Sequence, residues 1–243
     1  MVDMTWRAIR GVFREYVGLS KVVVYTAITG NYDHVSEPAT KVPGWKYLCF
    51  TDDACITAPG WEVSVLPKSG LDQIRHSRLP KILAHRFLSG YDTSIWIDGN
   101  LEIQGDLEEF CKVALMHVDI AFFRHGDFRP SVAAEVDACW QAKKAPLEVM
   151  ARQYESYCAA GFPDDAGIIP EAGVIARRHH RSDVRVAMEE WWGELLRHSA
   201  RDQIGLPYVL WKRALPFKLL DHNLRTSPWF RYRHHGERPQ PKT

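Results

Sequence analysis

Asp98-Gly99-Asn100 closes the apolar run Ser94-Ile95-Trp96-Ile97 with an acid, a glycine and an amide. A buried strand that ends this way delivers two oxygen donors to one edge of a sheet. Open α/β sheets hold their ligands at that edge, beyond the carboxyl ends of the strands. Adjacent oxygens suit a hard cation such as Mg²⁺ or Mn²⁺. Asp98 would be a direct ligand, and Asn100 a neutral ligand or a contact to a sugar or ribose hydroxyl. Gly99 lets backbone approach the ligand. Asp-Gly-Asn is also good turn chemistry, so the tripeptide alone fits a plain strand exit equally well.

A second group is cationic. Arg75, Arg78 and Lys81 cluster just before, or in the first turn of, an expected helix. Free N–H groups and the helix dipole favour a phosphate there, and guanidiniums strengthen it. Cations at a helix N-terminus are unfavourable without an anion, which sets this reading above a solvated basic loop. Glu171 stands before a short strand beside Gly173, as a site acid or an ordinary loop glutamate. Asp202 and Gln203 open a late helix and aim a carboxylate and an amide at a bound hydroxyl. Alternatively, Ser199 and Asp202 form a capping-box spacing and Asp202 is structural. His179 and His180 fall in a basic run, Arg177 to Arg181, that reads as a solvated or anion-facing loop. His222, His234 and His235 come late enough to complete a metal site begun by Asp98.

The elements that must position these groups alternate between strand and helix, the pattern of an α/β sheet. Strands are expected over residues 21–26 (KVVVYT), 45–51, 61–66, 94–97, 101–103, 119–124, 173–177 and 217–220. Pro80 suits a first helical turn, and a helix is expected from there to the stop at Ser89-Gly90. Leu79, Ile82, Leu83 and Phe87 form its core-facing stripe. Residues 131–160 read as helix broken near Pro146. Residues 182–198 are amphipathic, with Val184, Met188, Trp191 and Leu195 inward. A further helix runs from near 199–201 to about 214. Residues 6–17 form an amphipathic helix with Trp6, Ile9, Phe13, Tyr16 and Val17 on one face. It docks on its own domain or rests on an anionic membrane surface. The loop after the first strand, Ala27 to Asp33, is the kind that holds nucleotides, yet GxGxxG is absent and an NAD-type domain is disfavoured.

The 243 residues suffice for one domain with a substantial core. Net charge is +1, against a general nucleic-acid binder. No apolar run reaches membrane-spanning length. Cys49, Cys55, Cys111, Cys139 and Cys158 are scattered and odd in number, against a zinc site or disulfide framework. With no signal-peptide core at the N-terminus, these point to a reducing, cytoplasmic location, with membrane contact through residues 6–17 as a peripheral option on the inner face.

The ordered series Val24 to Asp33, Phe50-Thr51-Asp52, Ser77 to Lys81, Ile95 to Asn100 and Arg201-Asp202-Gln203 resembles a GT-A type glycosyltransferase-like family, formerly a domain of unknown function, with a glycogenin-like motif pattern. Asp98-Gly99-Asn100 resembles its Asp-x-Asp motif in an Asp-x-Asn form. The resemblance implies a single GT-A (Rossmann-like) α/β domain over residues 21–235, with a mixed, mostly parallel central sheet flanked by helices, between an N-terminal helical segment (1–20) and a tail (236–243). It implies a UDP- or GDP-sugar donor, a glycan or other hydroxyl acceptor, and Mn²⁺ or Mg²⁺. Thr26, Ala27 and Tyr32 would line the base and ribose pocket, and Asp52 would touch the nucleoside. Arg78 and Lys81, with Arg75 nearby, would face the diphosphate or donor sugar. Asp98 and Asn100 would hold the metal, completed by His235 or its neighbour His234, with His222 second. Glu171, Asp202 and Gln203 would contact donor sugar and acceptor, Asp202 or Glu171 serving as base in an inverting route. A metal-dependent hydrolase on the same scaffold and a non-catalytic nucleotide-sugar-binding module remain as alternatives.

Overall fold

The computed structural model describes residues 21–125, 129–165 and 169–234. The expected helix over 6–17, the tail 236–243 and His235 lie outside the described residues. Among the described residues no helix is long and apolar enough to cross a membrane.

The β-branched run becomes β1 (Val22–Ile28), buried along its whole length as a central strand must be. β2 (Lys46–Thr51), β3 (Glu62–Val65), β4 (Thr93–Ile97), β6 (Ile120–Arg124), β7 (Pro170–Arg177) and β8 (Lys218–Asn223) join it in the order β3-β2-β1-β4-β7-β6-β8. β1 pairs in parallel with β2 and β4, β2 with β3, and β6 with β8. β7 is antiparallel to both its neighbours. Every strand but β7 therefore ends at one edge, and β7 begins there. β5 (Leu101–Ile103) and β9 (Phe230–Tyr232) form a separate antiparallel pair. This is the mostly parallel mixed sheet expected.

Strand alternation divides the core between the two faces. Tyr25, Phe50, Trp96 and Ile175 point to one face. There they meet α1 (Gln73–Ile82), α2 (Ala84–Phe87), α4 (Val132–Gln141), α5 (Leu147–Ala159), α6 (Ser182–Arg197) and α7 (Asp202–Lys212). Val24, Ile95, Ile97 and Phe123 point to the other face, against Phe110 of α3 (Leu107–Ala114) and Phe230 of β9. Phe110 packs against the rings of Phe123, Trp229 and Phe230.

Three local expectations change. The helix expected from Pro80 starts at Gln73 instead, because Asp72 caps it by accepting from the Arg75 N–H. Pro80 falls in its last turn, where it removes the bond to the His76 carbonyl, and the helix breaks at Leu83 before α2. α3 was unanticipated, although Asp106 caps it by accepting from the Glu108 and Glu109 N–H groups. The capping box does not form: Ser199 donates to Gln153 Oε1 at 2.6 Å, and α7 starts without a side-chain cap.

Candidate active site

A cavity of about 720 Å³ opens along the edge where the strands end. Ala27 at the end of β1 and Thr29 and Tyr32 after it line it, with Asp98 and Asn100 after β4 and His125 after β6. Glu171 reaches it from the start of β7, Arg78 and Lys81 from α1, and Asp202 and Gln203 from α7. The β6–β7 register jumps here, from Phe122 opposite Ile175 to Phe123 opposite Glu171. Such irregularities re-aim side chains beside sites.

On the cavity floor Lys81, only 2% exposed, bridges Asp202 at 2.7 Å and Asp98 at 3.1 Å. Arg78 Nε lies 3.1 Å from the same Asp202 oxygen, Oδ2. Asp98 Oδ1 also accepts from the Trp96 indole at 2.8 Å, and the Lys81 ammonium lies over that ring. Two cations thus face two carboxylates in a water-poor setting. Burial alone would raise the Asp202 pKa, but the Arg78 and Lys81 charges more than reverse this and hold the carboxyl well below its ordinary range. Burial opposes the charge on Arg78, yet Asp202 and Asp98 outweigh it and push the guanidinium pKa up. A carboxylate held so low is a poor proton acceptor near neutral pH. Its environment fits Asp202 for holding the two cations, and not for the base role considered from the sequence.

Arg177 is fully buried on β7 and missed as a site-forming residue. It donates to the Tyr25 hydroxyl and the Lys81 carbonyl, and more distantly to the Ile82 carbonyl at 3.5 Å. A guanidinium at the C-terminal carbonyls of α1 suits the helix dipole and anchors the turn that carries Lys81. The basic run is accordingly only in part a solvated loop: Arg177 and His179 are buried, and His180 and Arg181 are exposed. His179 is buried with Arg177 and bonds the Leu88 carbonyl through Nε2. Burial, reinforced by Arg177, lowers its pKa to about 3. Only an isolated buried strand terminus with an arginine, Gly173 to Arg177, hinted at this in the sequence.

Several expected contacts are placed elsewhere. Arg75 lies off the cavity: it pairs with Asp72 at 2.6 Å and donates to the Leu195 and His198 carbonyls at the end of α6. The anion site expected at the start of α1 is thereby spent on docking two helices. Thr26 is buried within β1, and Asp52 instead binds the Gly30 N–H at 3.0 Å, holding the loop after β1. Gln203 lines the cavity, but its amide is committed to the Pro170 carbonyl and the Ala172 N–H, gripping β7 on both sides of Glu171. Gly99 lines the cavity and also packs against β1, since a Cβ would stand 2.4 Å from Ile28 Cδ1.

The motif is clamped from the C-terminal side. Asn100 donates to the Arg233 carbonyl at 3.1 Å, and the Arg233 N–H donates to the Asn100 carbonyl at 2.9 Å. Arg233 also reaches the Gly99 carbonyl at 3.1 Å. His222 is exposed and lies edge-on against Trp229; His234 is exposed beside Tyr232. Among the described residues no three His, Cys, Asp or Glu side chains converge as a metal cluster. Asp98 and the Asn100 oxygen still offer two hard donors. That fits a cation which takes its remaining ligands from substrate phosphates and water.

A mostly parallel sheet thus gathers an acid, an amide and cations at its strand ends. The chain belongs to the TOD1/MUCI70 glycosyltransferase-like domain family, whose model matches residues 57–226. Among curated relatives, the Arabidopsis thaliana protein named "Probable hexosyltransferase MUCI70" is 31% identical over 163 residues, 61% of this chain and 27% of that protein. The Arabidopsis thaliana protein named "Alkaline ceramidase TOD1" is 25% identical over 225 residues, 77% of this chain and 48% of that protein. The chain thus spans about half of one relative and about a quarter of the other. Among solved structures, the apo bifunctional glycosyltransferase WbbM aligns with a TM-score of 0.49 at 13% identity, covering 82% of this chain and 39% of that one. Apo mouse xyloside xylosyltransferase 1 aligns with 0.45 at 11%, covering 83% and 85%.

Proposed function

We propose that this domain transfers a glycosyl group from a nucleotide-sugar to a hydroxyl acceptor, with a divalent cation assisting. The observation that carries the reading is the buried Lys81 between Asp98 and Asp202 on the floor of the strand-edge cavity. Together with Arg78 it sets fixed N–H donors, their charge shared with Asp98 and Asp202, where a diphosphate leaving group would gain negative charge. Pre-set charge of this kind stabilises a transition state without reorganisation.

The base and ribose of a UDP- or GDP-sugar fit the end after β1, with Ala27 in the wall and Tyr32, 70% exposed, at the rim. Asp98 and Asn100 would hold Mn²⁺ or Mg²⁺, with His235 as third ligand; Arg233, bonded to Asn100, brings the chain to the motif two positions earlier. The cation would neutralise the diphosphate. Asp202 keeps Lys81 and Arg78 in place. In an inverting route Glu171 takes the proton from the acceptor hydroxyl; a retaining route needs no base there.

The test is calorimetric titration of UDP and GDP with and without Mn²⁺. One nucleotide binds, and Mn²⁺ tightens it. Arg78→Ala weakens binding by about 1–3 kcal/mol through loss of a charged hydrogen bond. Asp98→Ala removes the Mn²⁺ effect and turnover while circular dichroism stays native. Failure of every nucleoside diphosphate to bind overturns the proposal. A hydrolytic reading has one point in its favour, the relative named an alkaline ceramidase. Product analysis with labelled donor separates it, since a hydrolase releases free product without an acceptor.

A further inference from the structure

The strand order sets a scale along the cavity. β4 and β7 lie between β1 and β6. The ends of β1 and β6 are therefore about 14 Å apart, three inter-strand spacings. A donor seated from β1 to Asp98 leaves the β6 end open, where α4 and the start of α7 form the wall.

Charge differs at that end. Near Asp98 the cations Lys81 and Arg78 are matched by Asp98 and Asp202. At the β6 end Arg129 is matched by Glu135 at 3.1 Å. Arg201, Lys143 and Lys144 also line this end, and none has a carboxylate within 4.0 Å among the described residues. Lys143 and Lys144 follow the C-terminus of α4, where cations are favourable by themselves. Arg201 is different: it occupies the N-cap of α7, the positive end of a helix. Its Nε is buried without a hydrogen-bond partner. The carboxylate its charge acts on, Asp202, is already shared by Lys81 and Arg78, so an anion brought to Arg201 stabilises it.

We propose that the Arg201–Lys143–Lys144 end of the cavity binds an anionic group, a carboxylate or a phosphate, carried by the acceptor. The inference rests on the glycosyl-transfer reading and names its acceptor class. The acceptor is an acidic glycan rather than a neutral one, with its charge set about two strands from Asp98.

The probes are maltose and its two derivatives whose terminal glucose is oxidised to the uronate or phosphorylated at O6. Each is titrated into the full chain by calorimetry, with and without UDP or GDP. One charged disaccharide binds at least about tenfold more tightly than maltose, the size of one charged hydrogen bond. The preference shrinks as salt rises. Arg201→Gln removes most of it. Lys143→Gln/Lys144→Gln, which changes only exposed side chains, reduces it without altering the fold. The uronate and phosphate arms identify the group. Equal binding of all three disaccharides, no binding at all, or a preference untouched by both variants overturns the proposal. The nucleotide titration of the same samples reads the other claim separately. Nucleotide binding without charge preference removes only the acidic acceptor, and charge preference without nucleotide binding removes only the donor.

Discussion

The two ends of the cavity handle charge in opposite ways. Around Lys81 it is buried and balanced, with two cations against two carboxylates. Around Arg201 it is more open and unbalanced. Burying ions costs several kcal/mol each unless they are paired. The first end must therefore be matched by the fold itself, and is rigid and always assembled. The second can wait for a ligand, because water screens its lysines meanwhile. Pre-set charge suits the step common to every turnover, while unmatched charge suits recognition of a partner that comes and goes.

Breaking the balanced end has the largest effect. Asp202→Ala leaves Lys81 and Arg78 buried without their shared partner and destabilises the chain by about 3–5 kcal/mol in denaturant melts. Lys81→Met/Asp202→Leu costs less than the sum of its single changes, because the two removed charges are each other's partner, although Arg78 still loses Asp202 and Asp98 loses Lys81. By contrast, Lys143→Gln/Lys144→Gln at the open end shifts stability by less than about 0.5 kcal/mol. A loss as large there as for Asp202→Ala erases the comparison.

Acid gives the next effect. His179 is neutral in the folded chain, its pKa lowered to about 3, whereas unfolded histidine titrates near 6.5. The unfolded state therefore binds the extra proton as pH falls below about 6.5, and stability drops. From pH 6.5 to 5 the loss is about 2 kcal/mol, read from melts across that range. Asp202, also lowered, adds its own loss only below the unfolded carboxyl range near pH 4. His179→Gln flattens the slope between pH 6.5 and 5. An unchanged slope removes His179 as its source.

The smallest effect concerns the clamp. Asn100→Ala deletes its hydrogen bond to the Arg233 carbonyl and costs about 1 kcal/mol. Hydrogen exchange at the amides of β9 rises while that of β1 does not. Equal protection of β9 in the variant and the unaltered chain shows that the backbone pairing of β5 with β9 suffices.

Much of the framework was legible because hydrophobic period is a local signal. The buried run Val22–Ile28 reads as a central strand, and the tripeptide Asp98-Gly99-Asn100 reads as its neighbour's exit. Register and end points were less legible. Pro80 suggested a helix start, yet the helix begins at Gln73 because Asp72 supplies the cap, and Pro80 lies in its last turn. α3 hid between two short strands despite its Asp106 cap. Arg75, Arg78 and Lys81 look alike in sequence. Only Arg78 and Lys81 face the cavity, because the end of α6 claims Arg75.

By itself the sequence determined the strand and helix succession, the acid and amide at the end of β4, and the resemblance that runs through them in order. These depend on neighbours along the chain. The tertiary structure alone decided that Asp202 faces Lys81 rather than capping its helix, that Arg177 holds the turn bearing Lys81, and that no carboxylate comes within 4.0 Å of Arg201 among the described residues. Each of these joins residues far apart in sequence, and whether a charge is matched depends on what the fold brings within 4 Å of it.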